Sequence, residues 1–260
     1  MRGTTSLGWR AAGLALGLVI GGFAGVASAL PPEERPWDLG IGLYGWVTAT
    51  DLEAQAHLAG NNFTTHFDKD KSVSDAFEDW DGGGGGYLDG RYRRFVGLVD
   101  GAWAQTDLNG NGWFTNTIID LKVGYRVLDV NRPWSSSAEA AGPRFKLDLL
   151  AGARYRDAEV DIRGNNLRGN SQESDWWDPV VGLRMSVGLI PNLTFDTVAD
   201  IGGFDLGSAS HLTWSVNPRL NYRAWDHLDI FVGWKHLYDE RNSHLNGTLT
   251  GPQVGLGYSF

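Results

Sequence analysis

Apolar and polar residues alternate along much of this chain, most clearly over its last ten residues. Val254, Leu256, Tyr258 and Phe260 fall on one face, and the residues between them are small or polar. Successive side chains of a strand point to opposite faces, so this stretch predicts a two-faced strand that runs to the final residue. The alternative is an ordinary amphipathic strand in a soluble sandwich.

The same alternation recurs between turn-forming segments and predicts about ten antiparallel strands that close into an up-and-down barrel. The segments are 37–50, 87–92, 95–107, 113–128, 144–161, 175–189, 193–204, 211–224, 228–240 and the end of the chain. An even count returns the last strand to the side of the first, as transmembrane barrels require. Eight or twelve strands are the alternatives, because residues 51–68 could add strands to the wall.

The longest insertion in this pattern is 51–81, which follows the first strand. A hairpin is expected around Gly60. In the segment after it, Ser72 or Ser74 can cap a helix whose apolar residues recur at helical spacing up to Trp80. We expect this short helix to pack on the barrel rim, and a lid over the lumen is the alternative.

Five consecutive glycines, 82–86, follow the insertion. A phosphate-binding loop would need a strand before them and a helix after them, whereas a strand follows here. The run instead indicates a bend in the wall or a close approach of the helix to the backbone.

Residues 1–29 have the pattern of a secretory signal. Arg2 and Arg10 precede an apolar stretch that ends in Ala27-Ser28-Ala29, an A-x-A cleavage site. A membrane-spanning helix is the alternative, but the glycine-rich core is short for it. The sequence therefore predicts a signal peptide at 1–29 and a barrel domain at 30–260.

Composition limits the chemistry further. The chain has 260 residues, 36 glycines, 12 tryptophans and no cysteine, so disulfides and thiolate metal sites are excluded. The formal net charge of −9 argues against nucleic acid as a partner. We expect no cofactor and no metal site, since the histidines lack the spacing of metal ligands.

One face of the predicted strands is apolar and flanked by aromatic residues, which suits contact with outer-membrane lipid. The opposite face carries charges of both signs, and a soluble core could not bury so many. The predicted lumen charges are Asp89, Asp100, Asp120, Lys122, Asp148, Arg154, Asp178, Arg184, Asp196, Asp200, Arg219, Arg223 and Lys235. A barrel of this size is nearly filled by its own side chains, so we expect these charges to pair and to block the bore.

Several stretches resemble the small outer-membrane β-barrel proteins of gram-negative bacteria, in the style of the OmpA- and OmpW-like barrels. They are 177–184, 200–208, Thr213-Trp214, Gly233-Trp234, Gly251-Pro252 and the terminal Gly257-Tyr258-Ser259-Phe260. The resemblance implies export to the outer membrane. It also implies that Val254, Leu256, Tyr258 and Phe260 form the signal read by the barrel-insertion machinery. It implies no particular activity.

Some barrels of this kind are enzymes, and these need a base close to a nucleophile or an acid near the outer rim. Asp205, Ser208, Ser210 and His211 are the candidates, although such residues are common in exposed loops. We therefore expect no enzyme. The expected function is a structural or interaction role in the envelope, and the alternatives are a narrow channel for an unknown small molecule and a rim-located hydrolase.

Overall fold

The computed structural model describes residues 36–58, 61–68, 82–107, 112–131, 144–164, 167–241 and 245–260. Over this part of the chain the regular structure is entirely β. The strands are β1 (Trp37–Val47), β2 (Ala49–Leu58), β3 (Asn61–Asp68), β4 (Gly82–Tyr92), β5 (Phe95–Asp107), β6 (Gly112–Asn131), β7 (Arg144–Gly164), β8 (Leu167–Ile190), β9 (Leu193–Gly203), β10 (Leu212–Trp225), β11 (Leu228–Arg241) and β12 (Leu245–Ser259). No helix in the described ranges is long and apolar enough to cross a membrane.

Ten of these strands form a closed antiparallel ring, which confirms the predicted barrel. The ring runs from β1 to β4 and then in chain order to β12, and β12 pairs back onto β1 with Leu43 opposite Leu256. The other two strands form the hairpin expected in the first insertion. Its strand β2 continues beyond β1 along the same partner, β12, and β3 pairs on its far side.

Two-residue turns between the described strands lie at one end of the barrel, where the connection 132–143 between β6 and β7 also lies. Two-residue turns join β4 to β5, β8 to β9 and β10 to β11, and the start of β1 pairs with the end of β12 at the same end. We call this the turn end. At the opposite end, which we call the outer end because of its long hairpin, β7 and β8 continue to 21 and 24 residues.

The wall has an apolar outer face and a mixed inner face, as the alternation predicts. Leu43, Val123 and Val254 point outward with 73%, 69% and 58% of their surface exposed, whereas their neighbours in sequence point into the barrel. The outward aromatic rings meet across strands, with ring centroids 5.5 Å apart for Phe95 and Tyr125. Tyr155 and Trp177 are 5.1 Å apart.

One prediction about local structure is wrong, and another is tested only in part. The glycine run forms the first part of β4 and pairs residue by residue with β1 and β5, whereas the helix expected beside it lies outside the described residues. Residues 164–174, which separate the predicted strands 144–161 and 175–189 and were expected to form a polar loop, are mostly strand, because β7 and β8 continue their ladder to Gly164 opposite Leu167. The outer part of this hairpin is mostly polar, so the pattern of apolar and polar residues did not reveal that it is strand.

Other predictions lie outside the described residues or end one residue short. The signal peptide 1–29 and the short helix near 72–80 both fall outside the described ranges. The last strand ends at Ser259, one residue before Phe260, and not at the terminus.

Candidate functional site: the filled lumen

The lumen is filled along part of its length by an ionic network on the β6–β10 side. We define this network as Asp120, Lys122, Arg154, Asp200 and Ser215, which are all buried. Alternation on β6, β7, β9 and β10 points these side chains inward at similar depth. They therefore meet in the lumen although they are far apart in sequence.

Arg154 is the centre of the ionic network, and its side chain is 0% exposed. Its Nε donates to Asp120 Oδ1 at 2.8 Å, and its Nη2 donates to Asp200 Oδ1 at 2.9 Å. The same nitrogen donates to Ser215 Oγ at 3.0 Å. A buried guanidinium is tolerated only when its donors are satisfied in this way.

Lys122 supplies the second positive charge of the network. Its Nζ is 2.8 Å from Asp200 Oδ2 and 3.5 Å from Asp120 Oδ2. Ser215 Oγ also donates to Asp200 Oδ2 at 2.7 Å. Two cations and two carboxylates thus neutralise one another away from water.

A second buried group connects the ionic side to the opposite wall. Lys235 Nζ donates to Asp100 Oδ1 at 2.6 Å and to the Tyr44 hydroxyl at 3.0 Å. The Tyr44 hydroxyl in turn donates to Asp100 Oδ1 at 2.9 Å. Tyr44 therefore lies between the two parts of the filling. Its hydroxyl belongs to this ionic group, and its ring packs against aromatic side chains.

Those side chains form the aromatic cluster, which we define as Tyr44, Trp46, Tyr87 and Phe231. They fill the lumen on the side of β1, β4 and β11. The Phe231 centroid is 6.4 Å from that of Tyr44 and 6.0 Å from that of Tyr87. Lys235 Nζ lies 5.3 Å from the Trp46 ring, so a cation covers the cluster where it meets the ionic side.

Inward-facing glycines make room for these rings. A Cβ at Gly85 would lie 2.5 Å from Tyr44 Cζ, and one at Gly42 would overlap the Tyr87 ring. A Cβ at Gly255 would overlap Phe231. At these positions the absence of a Cβ leaves space for an aromatic ring next to the backbone of the wall.

A further group of buried side chains lies in the lumen toward the outer end. Asp178 Oδ1 accepts from the Ser210 backbone N–H at 2.6 Å, and Asp178 Oδ2 accepts from the Ser210 hydroxyl at 3.1 Å. The Trp176 indole N–H lies 3.0 Å from the same carboxylate oxygen. Beside it, Arg156 Nη1 is 3.4 Å from Asp239 Oδ2. This group anchors the β9–β10 connection to the barrel interior.

The rim candidates do not come together as a catalytic group. Ser210 is buried and held by Asp178, whereas Ser208 is exposed on the loop. His211 Nδ1 and Asp205 Oδ2 are 2.7 Å apart in solvent. The Asp205 carboxylate accepts a hydrogen bond from the protonated His211 ring, and this bond and the negative charge of Asp205 raise the pKa of His211 above its ordinary value.

The remaining predicted charges lie at the turn end. Arg126 Nε donates to Asp148 Oδ1 at 2.8 Å, and Arg184 donates to both Asp148 and Asp89. Arg223 Nε is 3.1 Å from Asp229 Oδ1.

Two predicted charges at this end have partners of another kind. Asp196 accepts from Asn221 Nδ2 at 2.6 Å. Arg219 stacks on aromatic rings instead of pairing with an acid, with its Cζ 4.9 Å from the Tyr87 centroid and 5.3 Å from that of Phe231. Hence the predicted lumen charges meet in several small groups and not in one network.

Sequence reasoning missed most of the apolar part of the filling. Ile118, Trp176 and Phe231 are buried inside the barrel, as is Trp46. The position of each along its strand could have revealed them, since each lies two or four residues from an inward charge or glycine. The predicted assembly residues Val254, Leu256 and Tyr258 are exposed on the outer wall.

No protein-family model and no curated protein sequence matches this chain. Its fold is similar to that of the outer membrane protease OmpT from Escherichia coli, with a TM-score of 0.53 and 11% identity over 86% of this chain and 97% of that one. At this identity the similarity shows the fold, that of a small outer-membrane β-barrel, and leaves activity open.

Two other solved structures match at lower scores. Neisserial surface protein A has a TM-score of 0.37 and 11% identity over 87% of this chain and 98% of that one. Ail, the attachment invasion locus protein of Yersinia pestis, has a TM-score of 0.37 and 12% identity over 87% of this chain and 99% of that one.

Proposed function

We propose that this chain is an exported barrel of the bacterial outer membrane that conducts no solutes and has a structural or interaction role in the envelope. The filled lumen is the observation that carries the proposal. Arg154, Trp46 and Phe231 are each at most 1% exposed, although they come from different walls of the barrel. Side chains packed in this way support a lumen without a continuous path for water.

The outer surface supports the membrane location. Large apolar side chains such as Leu43, Val123 and Val254 are exposed around the wall, and a monomeric protein in water rarely exposes such a belt. The buried ionic network supports the same reading, since a transmembrane barrel places its polar residues inside. Outer-membrane lipid and the barrel-insertion machinery are the partners that this location implies.

The outer end is where an interaction role would reside. The β7–β8 hairpin and the β2–β3 hairpin extend the sheet beyond the closed ring. Long external extensions on a rigid barrel are the usual place for contacts with partners, since binding residues concentrate on segments held by a scaffold.

The two alternatives make different demands on the same structure. A narrow channel requires the ionic network to open, which would separate Arg154 from two carboxylates at once. A rim hydrolase requires a nucleophile beside His211, and Ser210 is committed to Asp178. If the chain is a rim hydrolase, the variant His211→Ala abolishes an activity that the wild-type barrel possesses.

Liposome swelling tests the proposal against the channel alternative. The full chain is folded into liposomes, and a heat-modifiable shift on an unboiled gel verifies folding. We expect swelling in small sugars no faster than that of protein-free liposomes. Swelling that increases with the amount of folded barrel would contradict the proposal and support a conduit.

A further inference from the structure

The turn end of the lumen contains an open cavity of about 320 Å³ below the filled part. We call it the turn-end vestibule. Its lining includes the cations Arg91, Arg126, Lys146, Arg184, Arg219 and Arg223. Four carboxylates line it as well, those of Asp38, Asp89, Asp196 and Asp229. The lining therefore has six cations against four carboxylates, an excess of two positive charges.

Most of these charges are already matched. Arg91 Nη2 is 4.0 Å from Asp38 Oδ2 at the lip, and Arg223 pairs with Asp229. Arg184 pairs with Asp89 inside the vestibule and with Asp148 behind its wall. Such pairs bring the local charge close to neutral without a ligand.

Lys146 and Arg219 are the exceptions. Within the described residues neither makes an ion pair or a hydrogen bond with a carboxylate. The Arg219 guanidinium lies over the Tyr87 ring, and its Nε is buried without a hydrogen-bond partner. Asp196 lies opposite Arg219 in the sheet, but its carboxylate is held by Asn221.

An unmatched guanidinium beside a cavity is costly, because a buried donor without an acceptor loses the hydrogen bond that water gave it. The Tyr87 ring holds the Arg219 guanidinium by a cation–π contact and leaves donor nitrogens without a carboxylate partner. Lys146 adds an ammonium on the β7 side of the same cavity.

We propose that the turn-end vestibule binds a small anion of the carboxylate or phosphate class, with Lys146 and Arg219 as its charged contacts. The volume suits a small polar molecule and is at the lower limit of known ligand pockets. Ser186, Thr194 and Asn221 line the same cavity and supply neutral hydrogen-bonding groups. Buried Phe231 lies under the Arg219 guanidinium, so the anion enters and leaves from the turn end only.

Calorimetric titration of the detergent-solubilised full chain tests this inference, with inorganic phosphate and succinate as the two probes. We expect at least one of them to bind. Lys146→Gln and Arg219→Gln should each weaken that binding by about tenfold or more, because each removes a charge-assisted hydrogen bond. Binding of succinate alone assigns a carboxylate, and binding of phosphate alone assigns a phosphate.

Two control variants keep the result interpretable. Arg93→Gln removes the same charge from the exposed turn at the same end, where the Arg93 side chain is not part of the cavity lining and only its backbone carbonyl contacts Arg91, so it should leave binding unchanged. Lys146→Arg keeps the charge and should retain binding within a few-fold. Absence of binding by both probes, or equal affinity in wild type, Lys146→Gln and Arg219→Gln, would overturn the inference. Either result leaves the solute-tight barrel intact, since that proposal rests on swelling.

Discussion

The two sides of the lumen are filled by opposite means. On the β6–β10 side the filling is ionic, and Arg154 has a carboxylate or hydroxyl within hydrogen-bond distance on several of its nitrogens. On the β1, β4 and β11 side the filling is aromatic. There Tyr87 and Phe231 pack against each other and against glycines of the wall. The ionic side is stable when every buried charge has a partner, whereas the aromatic side is stable when the rings fit the space left by the glycines.

This difference determines how each side should fail. Removing one member of an ionic group leaves the others charged and buried, which costs several kcal/mol. Adding one carbon atom at a glycine of the aromatic side overpacks that side, and overpacking typically costs about 1–3 kcal/mol. The following substitutions separate the two modes, from the largest expected effect to the smallest.

Loss of the central guanidinium should have the largest effect. Arg154→Met leaves Asp120 and Asp200 sharing only Lys122, and we expect it to lower the free energy of unfolding by about 3–5 kcal/mol. Urea unfolding in phospholipid vesicles, followed by tryptophan fluorescence, measures this. Arg144→Met is the matched control, because its pair with Asp129 is half exposed and should contribute about 0–1 kcal/mol. Equal losses for the two variants would refute the role of the ionic network.

One added methyl group tests the aromatic side. Gly85→Ala places a Cβ 2.5 Å from Tyr44 Cζ and against the Gly101 carbonyl oxygen. We expect a loss of about 1–3 kcal/mol by the same unfolding measurement. Gly97→Ala is the control, since no atom lies within 4 Å of its Cβ, and it should be neutral or slightly stabilising. If Gly97→Ala is the more damaging of the two, glycine does not serve to make room for the rings.

Tyr44→Phe tests the junction between the two sides. The ring stays in the aromatic cluster, while the hydroxyl that contacts Asp100 and Lys235 is lost. Lys235 Nζ keeps its direct contact of 2.6 Å with Asp100 Oδ1, so we expect a loss of only about 1 kcal/mol. A loss as large as that for Arg154→Met would mean that the two sides form a single cooperative network.

The exposed pair in the β9–β10 connection should have the smallest effect. The hydrogen bond and charge of Asp205 raise the pKa of His211, so its contribution to stability is present below the ordinary pKa and is lost as pH rises through the raised value. An NMR titration of the His211 imidazole measures this pKa, and Asp205→Asn should return it toward about 6.5. An unchanged pKa in Asp205→Asn would show that the two side chains do not interact in solution.

The sequence predicted the ionic side better than the aromatic side for a physical reason. Charges that recur at every second position, such as Asp120 and Lys122, must face inward in a membrane barrel, so alternation alone assigned them. Aromatic residues suit both the lipid interface and the lumen. Trp46 and Phe231 could be assigned only from strand parity, and the pattern was dominated by the apolar residues of the outer face.

The sequence predicted which face of the wall a side chain occupies better than it predicted which residue that side chain contacts. Alternation says that Asp100 points inward but not that its partner is Lys235, 135 residues away. The partner depends on strand order and on the stagger between strands, which local sequence does not contain. The role of Gly85 was hidden for the same reason, because the ring that occupies its space comes from another strand, namely Tyr44 on β1.

Ion conductance across a planar bilayer tests the central claim most directly, namely that the two sides together close the lumen. The wild-type barrel should insert without producing stable conductance steps at any applied voltage that the bilayer tolerates. The double variant Trp46→Ala with Phe231→Ala, which empties part of the aromatic side, should produce such steps if it folds. Stable steps from the folded wild-type barrel would contradict the account.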